Sequence, residues 1–291
     1  MGNTVLKLSS ADYFDEQRAP ARFQASSFTF GLFIYYLIDF FLHLSQRIPG
    51  YGLLRPTLLL ALIISISLFI QREKFRGWSK DPIVASLLVL LIYLAVSLPL
   101  VEWPGSVVKN NLSDFIKAIT FFFFTVLLVD SDRRLKIFLL VFIGCQLIRV
   151  FEPLFLNLTE GYWGSSTYIG GGEFSQRLSG APSDVINPNE LGFVIVTAIP
   201  FLHYLLWSSG FKARLLYLLL MPPLLYALIL TQSRGALLAL LVIAFFVFKE
   251  SSHKFSLVVV AILVGMAGWQ VMTDEQKDRS LSLVGQSETS N

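Results

Sequence analysis

Charge is scarce in this chain. Only 15% of its 291 residues are Asp, Glu, Lys or Arg, against about 25% in soluble domains. Cysteine is nearly absent: Cys145 is alone and sits in an apolar run, so no disulfide can form within the chain. The three histidines, His43, His203 and His253, fall in separate segments, and no metal-ligand motif can be built from them. No phosphate-cradling glycine loop is present, because Gly170-Gly171-Gly172 does not follow a strand. No nucleophile elbow occurs, and no cofactor is expected. The first 25 residues are polar and mixed in charge, without an early apolar core, so no cleavable signal is visible. The cations are scattered over short loops rather than gathered into a patch, which argues against nucleic acid as a partner.

What is abundant is apolar residues, 54% of the chain, with 26 phenylalanines. Several runs approach the roughly 20 residues a helix needs to cross a bilayer. The expected fold class is therefore an all-α, multi-pass integral membrane protein. Unpaired backbone is too costly in lipid, and the runs lack the alternation of a barrel strand. Nine spans are expected, at about 28–44, 54–70, 82–100, 113–129, 135–152, 189–207, 213–230, 236–248 and 255–272. Alternate loops separate by charge. One set carries fourteen lysines and arginines and the other eight. The richer set is expected to be cytoplasmic. This gives a cytoplasmic tail over 1–27, a transmembrane domain over 28–272 and a polar periplasmic segment from 273 to 291. Arg177 and Arg234 then lie outside.

The longest outer loop is expected from Pro153 to about Pro188. It holds Tyr162, Trp163, Tyr168 and Phe174, the triple glycine and Arg177. Loops of this length are usually functional or disordered. The aromatics suit either sugar rings and headgroups or an interfacial belt. Asn187-Pro188-Asn189 reads as a helix start, with Asn187 as cap and Pro188 at the first helical position. A helix start beside Arg177 is a ready anion site, although an ordinary capped helix explains the same residues. Asp39 is an intramembrane carboxylate towards the outer end of the first span.

The second notable stretch is Thr231-Gln232-Ser233-Arg234-Gly235-Ala236, a turn between two apolar runs. Arg234 there is either anchoring to headgroups or waiting for an anion. Arginine offers a planar fork suited to phosphate oxygens. Two such forks, on Arg177 and Arg234, could hold a diphosphate at headgroup depth.

Thr231-Gln232-Ser233-Arg234-Gly235-Ala236-Leu237-Leu238-Ala239-Leu240 resembles the signature of the bacterial O-antigen ligase and polymerase family. Arg177-Leu178-Ser179-Gly180 followed by Asn187-Pro188-Asn189-Glu190-Leu191-Gly192 is similar to that family's second motif. Asn187 stands where the family usually has Asp. The resemblance covers roughly 170–291 with specificity. It implies a C-type membrane glycosyltransferase of the bacterial inner membrane, acting in cell-surface polysaccharide biosynthesis. Such a protein moves a glycan from undecaprenyl diphosphate onto a lipid (in lipopolysaccharide), a growing polysaccharide or a protein. Arg177 and Arg234 would hold the diphosphate without a metal, supported by Asn187, Asn189, Ser233 and Gly235. The resemblance also implies a longer chain, with a histidine-bearing periplasmic loop after the ninth span. None of the three histidines stands in for that residue: His203 lies deep in a helix, His253 is cytoplasmic, and His43, near the outer edge, is in another element. Asp184 or Glu190 is conceivable as a base. The competing readings are a transporter or flippase of lipid-linked sugars and a non-catalytic subunit that binds the lipid diphosphate.

Overall fold

A computed structural model describes residues 25–72, 82–170 and 173–250. These residues are mostly helical. The principal helices are α1 (Ser27–Leu42), α2 (Pro56–Ile70), α3 (Pro82–Ser97), α4 (Leu112–Leu128), α5 (Asp132–Glu160), α6 (Pro188–Trp207), α7 (Phe211–Thr231) and α8 (Arg234–Glu250). Short helical turns at Leu44–Arg47 and Tyr51–Leu54 link α1 to α2. Between α5 and α6 stands an antiparallel hairpin, β1 (Gly164–Gly170) and β2 (Glu173–Leu178). Five helical stretches are long and apolar enough to cross a membrane: Tyr51–Ile70, Pro82–Leu100, Asp132–Glu160, Pro188–Trp207 and Phe211–Thr231. Twenty residues at 1.5 Å each give about 30 Å, the depth of a hydrocarbon core. The ninth expected span, 255–272, and the tail 273–291 lie outside the described residues, as does the charged tail up to residue 24.

The helix surfaces fit a lipid solvent. In α2, Leu60, Ile64 and Leu68 recur every fourth residue and are buried. The rest of that helix is equally apolar yet exposed, including Leu58, Leu62, Ile66 and Phe69. In α3 only Val84 is buried. A helix that is apolar all round and buried on one stripe is stable where the surrounding medium is itself apolar.

The chain divides into two compact units. The first holds residues up to Tyr36 and Arg55–Phe138. Its centre is aromatic: Phe33 stacks on Phe138 at 5.9 Å and meets Phe124 edge-on at 6.3 Å. At one end Arg134 binds Asp130 at 2.9 Å and donates to the Ala25 carbonyl, while the Ala25 amide reaches Asp130 at 3.1 Å. The Ser26 amide donates to Gln71 at 2.9 Å. Three loops that the charge pattern puts on one side thus meet one another.

The second unit holds Leu37–Leu54 and the chain from Leu139 on. Its core includes Val150, Leu178, Leu191, Ile195, Leu224, Leu228 and Ala236. Helix α6 packs on both α7 and α8. Here the turn after α1, the segment between α5 and α6 and the turn between α7 and α8 come together and form the site below.

Two expectations are corrected. The outer loop does not begin at Pro153, because α5 runs through that proline to Glu160. Proline removes one hydrogen bond and crowds the preceding turn, and a 29-residue helix with neighbours on both sides of the defect can continue. Gly170, the first of the triple glycine, also ends a strand, because the hairpin occupies half of that loop while the described residues remain mostly helical.

Candidate functional site

The turn between α7 and α8 is built by three polar residues. Gln232 closes α7 in the left-handed region, at φ 49°. The buried Thr231 hydroxyl donates to the Leu228 carbonyl at 2.7 Å and accepts from the Ser233 amide at 3.3 Å. The Ser233 hydroxyl then accepts from the Ala236 amide at 3.3 Å, which makes Ser233 the cap of α8. Arg234 is the first residue of α8 and is exposed. A reversal this tight puts the end of one helix and the start of the next within one turn.

The hairpin is bolted to this turn. Its register pairs Ser165 with Arg177 and Thr167 with Ser175, so these four share one face. From that face Ser175 donates to Gln232 Oε1 at 3.1 Å, and Gln232 Nε2 donates back to the Gln176 carbonyl at 3.0 Å. Arg177 Nε donates to the Thr231 carbonyl at 2.9 Å, and Nη2 donates to Asn189 Oδ1 at 2.8 Å and to the Gln232 carbonyl at 3.4 Å. The last carbonyls of a helix lack intrahelical partners and carry its negative end. Arg177 therefore caps α7 while reaching the start of α6.

Helix α6 begins as its sequence predicts. Asn187 Oδ1 accepts from the amides of Asn189 and Glu190 at 2.9 and 3.0 Å, and Glu190 returns a bond to the Asn187 amide at 2.9 Å. Gly192 then brings α8 alongside. A Cβ at Gly192 would lie 2.7 Å from the Ala236 Cβ and 3.0 Å from that of Ser233. Only a residue without a side chain allows this approach. Gly235 is under less demand, since a Cβ there would meet Phe193 at 3.4 Å. Two parallel helix starts thus lie side by side, each carrying about half a positive charge. Arg177 and Arg234 flank them. The sequence-predicted residues Arg177, Asn187, Asn189, Ser233, Arg234 and Gly235 are all within these three elements.

A second cluster escaped the sequence reading. Arg149, near the middle of α5, forms a forked pair with Asp184: Nε to Oδ2 at 2.6 Å and Nη2 to Oδ1 at 3.2 Å. Asp184 is fully buried, and His43 Nδ1 lies 3.2 Å from its Oδ1. Burial pushes the Asp184 carboxyl up, but the hydrogen bonds from His43 and Arg149 and their charges outweigh it and hold the group below its ordinary value. Beside it Arg47 pairs with Glu152 at 2.5 Å, and Ser183 donates to Glu152 at 3.3 Å. Asp184 cannot itself serve as a base, because both its oxygens are engaged and none of it is exposed. Glu190 is held in the α6 cap. No group of three His, Cys, Asp or Glu residues could hold a metal ion among the described residues. The one sequence signal for this cluster was three ionisable residues, His43, Arg149 and Asp184, in or beside apolar segments; nothing in their spacing tied them together.

No family model matches this chain, and neither the curated proteins nor the solved structures contain a match.

Proposed function

We propose that the chain is a membrane glycosyltransferase resembling the O-antigen ligases and polymerases. It transfers a glycan from undecaprenyl diphosphate to a lipid, polysaccharide or protein acceptor at the periplasmic face of a bacterial inner membrane. One observation carries the reading. The guanidinium of Arg177 is bonded to Thr231 and Gln232, so the two motif segments, 54 residues apart, share one site. That site is a pair of helix starts flanked by two arginines. Fixed dipoles and cations already in place are what a departing diphosphate needs, since they stabilise the charge as it develops without reorganising. Arg177 supplies rigidity, because its fork is held by carbonyls. Arg234 is exposed and supplies the reach.

The test is transfer in proteoliposomes from a labelled undecaprenyl-diphosphate-linked glycan, comparing wild type with Arg234→Ala. Removing one such stabilising donor is expected to lower turnover by roughly 10²–10³-fold. An exposed helix-start residue should leave thermal stability within about 0.5 kcal/mol. Unchanged turnover would sink the assignment. Donor binding without any transfer by the wild type would favour the binding-only reading.

A further inference from the structure

The elbow between α6 and α7 carries two positive charges that no carboxylate answers. No Asp or Glu occurs from residue 191 to 249. Lys212 and Arg214 stand in that stretch, near the start of α7, and both are exposed. Neither pairs with a carboxylate among the described residues. Arg214 is nonetheless held in place. Its Nε donates to the Trp207 carbonyl at 2.8 Å, and its guanidinium lies over the Trp207 ring, 5.6 Å from the centroid. One of its five N–H donors is spent in this way. Its two Nη groups take no bond from the described residues. The ring beneath is fixed in turn. His203 stacks on Trp207 at 5.7 Å, and Tyr217 meets the two rings edge-on at 5.4 and 5.7 Å. Trp207 still remains 43% exposed. The neighbouring hydroxyls of Ser208 and Ser209 turn back onto the Tyr204 and Leu205 carbonyls.

Below the cations α7 is apolar and open. Phe211, Leu215 and Leu218 are all exposed. Their spacing of four and then three residues puts them on one side of the helix. By the same geometry Lys212 and Arg214 fall to either side of that stripe, at its end. Helix α7 is long and apolar enough to cross a membrane, so the stripe meets acyl chains while the cations stand at headgroup level. A cation pair capping an apolar stripe is complementary to a molecule with an anionic head and a long tail. A soluble phosphate offers nothing to cover the stripe. An acidic protein segment would have to enter hydrocarbon to do so. A zwitterionic lipid brings a cation of its own against the pair.

We propose that this elbow is a docking surface for a phospholipid of net negative charge. Its phosphate is taken by Lys212 and Arg214, and an acyl chain lies along Phe211, Leu215 and Leu218. Trp207 and its carbonyl hold the Arg214 fork before the lipid arrives, so little side-chain freedom is lost on binding. The surface is distinct from the candidate site at the other end of α6. Twenty residues of helix separate the two, about 30 Å. Lipid docking here is therefore independent of the transferase reading.

The experiment uses the full chain in phosphatidylcholine vesicles. At one fixed mole fraction, either phosphatidylglycerol or phosphatidylcholine with brominated acyl chains is added as quencher. Tryptophan fluorescence is read in wild type and in Trp207→Phe, and the difference isolates Trp207 from the other four tryptophans. Phosphatidylglycerol should be preferred at Trp207 by roughly tenfold or more. Lys212→Gln and Arg214→Gln should each reduce that preference about fivefold, and the double variant should show none. Added salt should weaken the preference of the wild type, because the cations are exposed. This salt titration needs no variant, so it tests the surface even if the double variant does not fold. Equal quenching by the two lipids in wild type overturns the proposal. A preference that survives in a folded double variant overturns it as well. Inorganic phosphate at matched ionic strength should not displace the brominated lipid. Displacement would make this a soluble-anion site and overturn lipid docking.

Discussion

Asp184 organises the second cluster of the site, tying α5 and the turn after α1 to the 179–187 loop. It is buried, accepts from Arg149, lies beside His43 and sits in the loop that runs from Arg177 to Asn189. Its folded-state proton affinity is lowered, so the stability it contributes is fully present above the ordinary carboxyl value of 3.8 and is lost as pH falls through the lower folded value. Melting curves of the detergent-solubilised protein should therefore weaken below about pH 4, and this component should vanish in Asp184→Asn. At neutral pH the same substitution strands the buried Arg149 charge, a loss of about 3–5 kcal/mol. A neutral-pH stability equal to wild type would show that the pair is not buried as described. At this scale the sequence was readable where a residue acts on its chain neighbours. Asn187 capping α6 follows from Asn-Pro-Asn alone. His43 reads in the sequence only as a histidine near the outer edge in another element; its partner Asp184 is 141 positions away, and chain order holds no trace of that contact.

Among the elements, the hairpin is the part that hydropathy could not supply. Gly164–Gly170 and Glu173–Leu178 are short, polar and rich in serine and glycine, so they carry neither an apolar run nor a clean alternation. Their strand character comes from each other and from the turn they grip. An isolated two-stranded hairpin is marginal in water. This one depends on Ser175 and Gln176 binding Gln232 and on Arg177 binding the end of α7. Arg177→Ala removes the bonds from β2 to Thr231, Gln232 and Asn189. Amide exchange across residues 164–178 should then speed up by an order of magnitude or more, while exchange within α6 and α7 stays slow. Arg177→Lys should give an intermediate result, because an ammonium cannot reproduce the fork. Equal exchange in wild type and Arg177→Ala would mean that other contacts hold the hairpin. The helices were far more legible, since long apolar runs have one stable form in lipid. Their ends were less so: α5 passes its proline where the sequence suggested a stop.

For the molecule as a whole, the informative pattern is which loops keep company. Within one unit Ala25, Gln71, Asp130 and Arg134 come together, and all lie in or beside loops rich in cations. Within the other, the turns at His43–Arg47 and Thr231–Arg234 join the hairpin and the 179–187 loop through bonds to α5 and to β2. Charge counting along the sequence expects the first group among the cytoplasmic loops and the second among the outer ones, and labelling tests that expectation. With Cys145 replaced by Ser, single cysteines at Thr167 and at Ser131 separate the two sides. A membrane-impermeant maleimide added to intact spheroplasts should label the first and spare the second. Labelling of both, or of Ser131→Cys alone, would reverse or dissolve the topology. Charge patterning speaks to sidedness because insertion obeys local charge, whereas the meeting of loops within a unit depends on packing that no loop encodes alone.

Gly192 has a mechanical consequence. Because α6 and α8 touch there at less than a side chain's width, their starts cannot slide or spread independently. A tilt of one helix therefore carries the other with it, as a single beam. The spacing between the two amide-bearing ends is then a fixed gauge, set by backbone contact rather than by adjustable side chains. A site built on that gauge keeps its dimensions while the membrane around it changes.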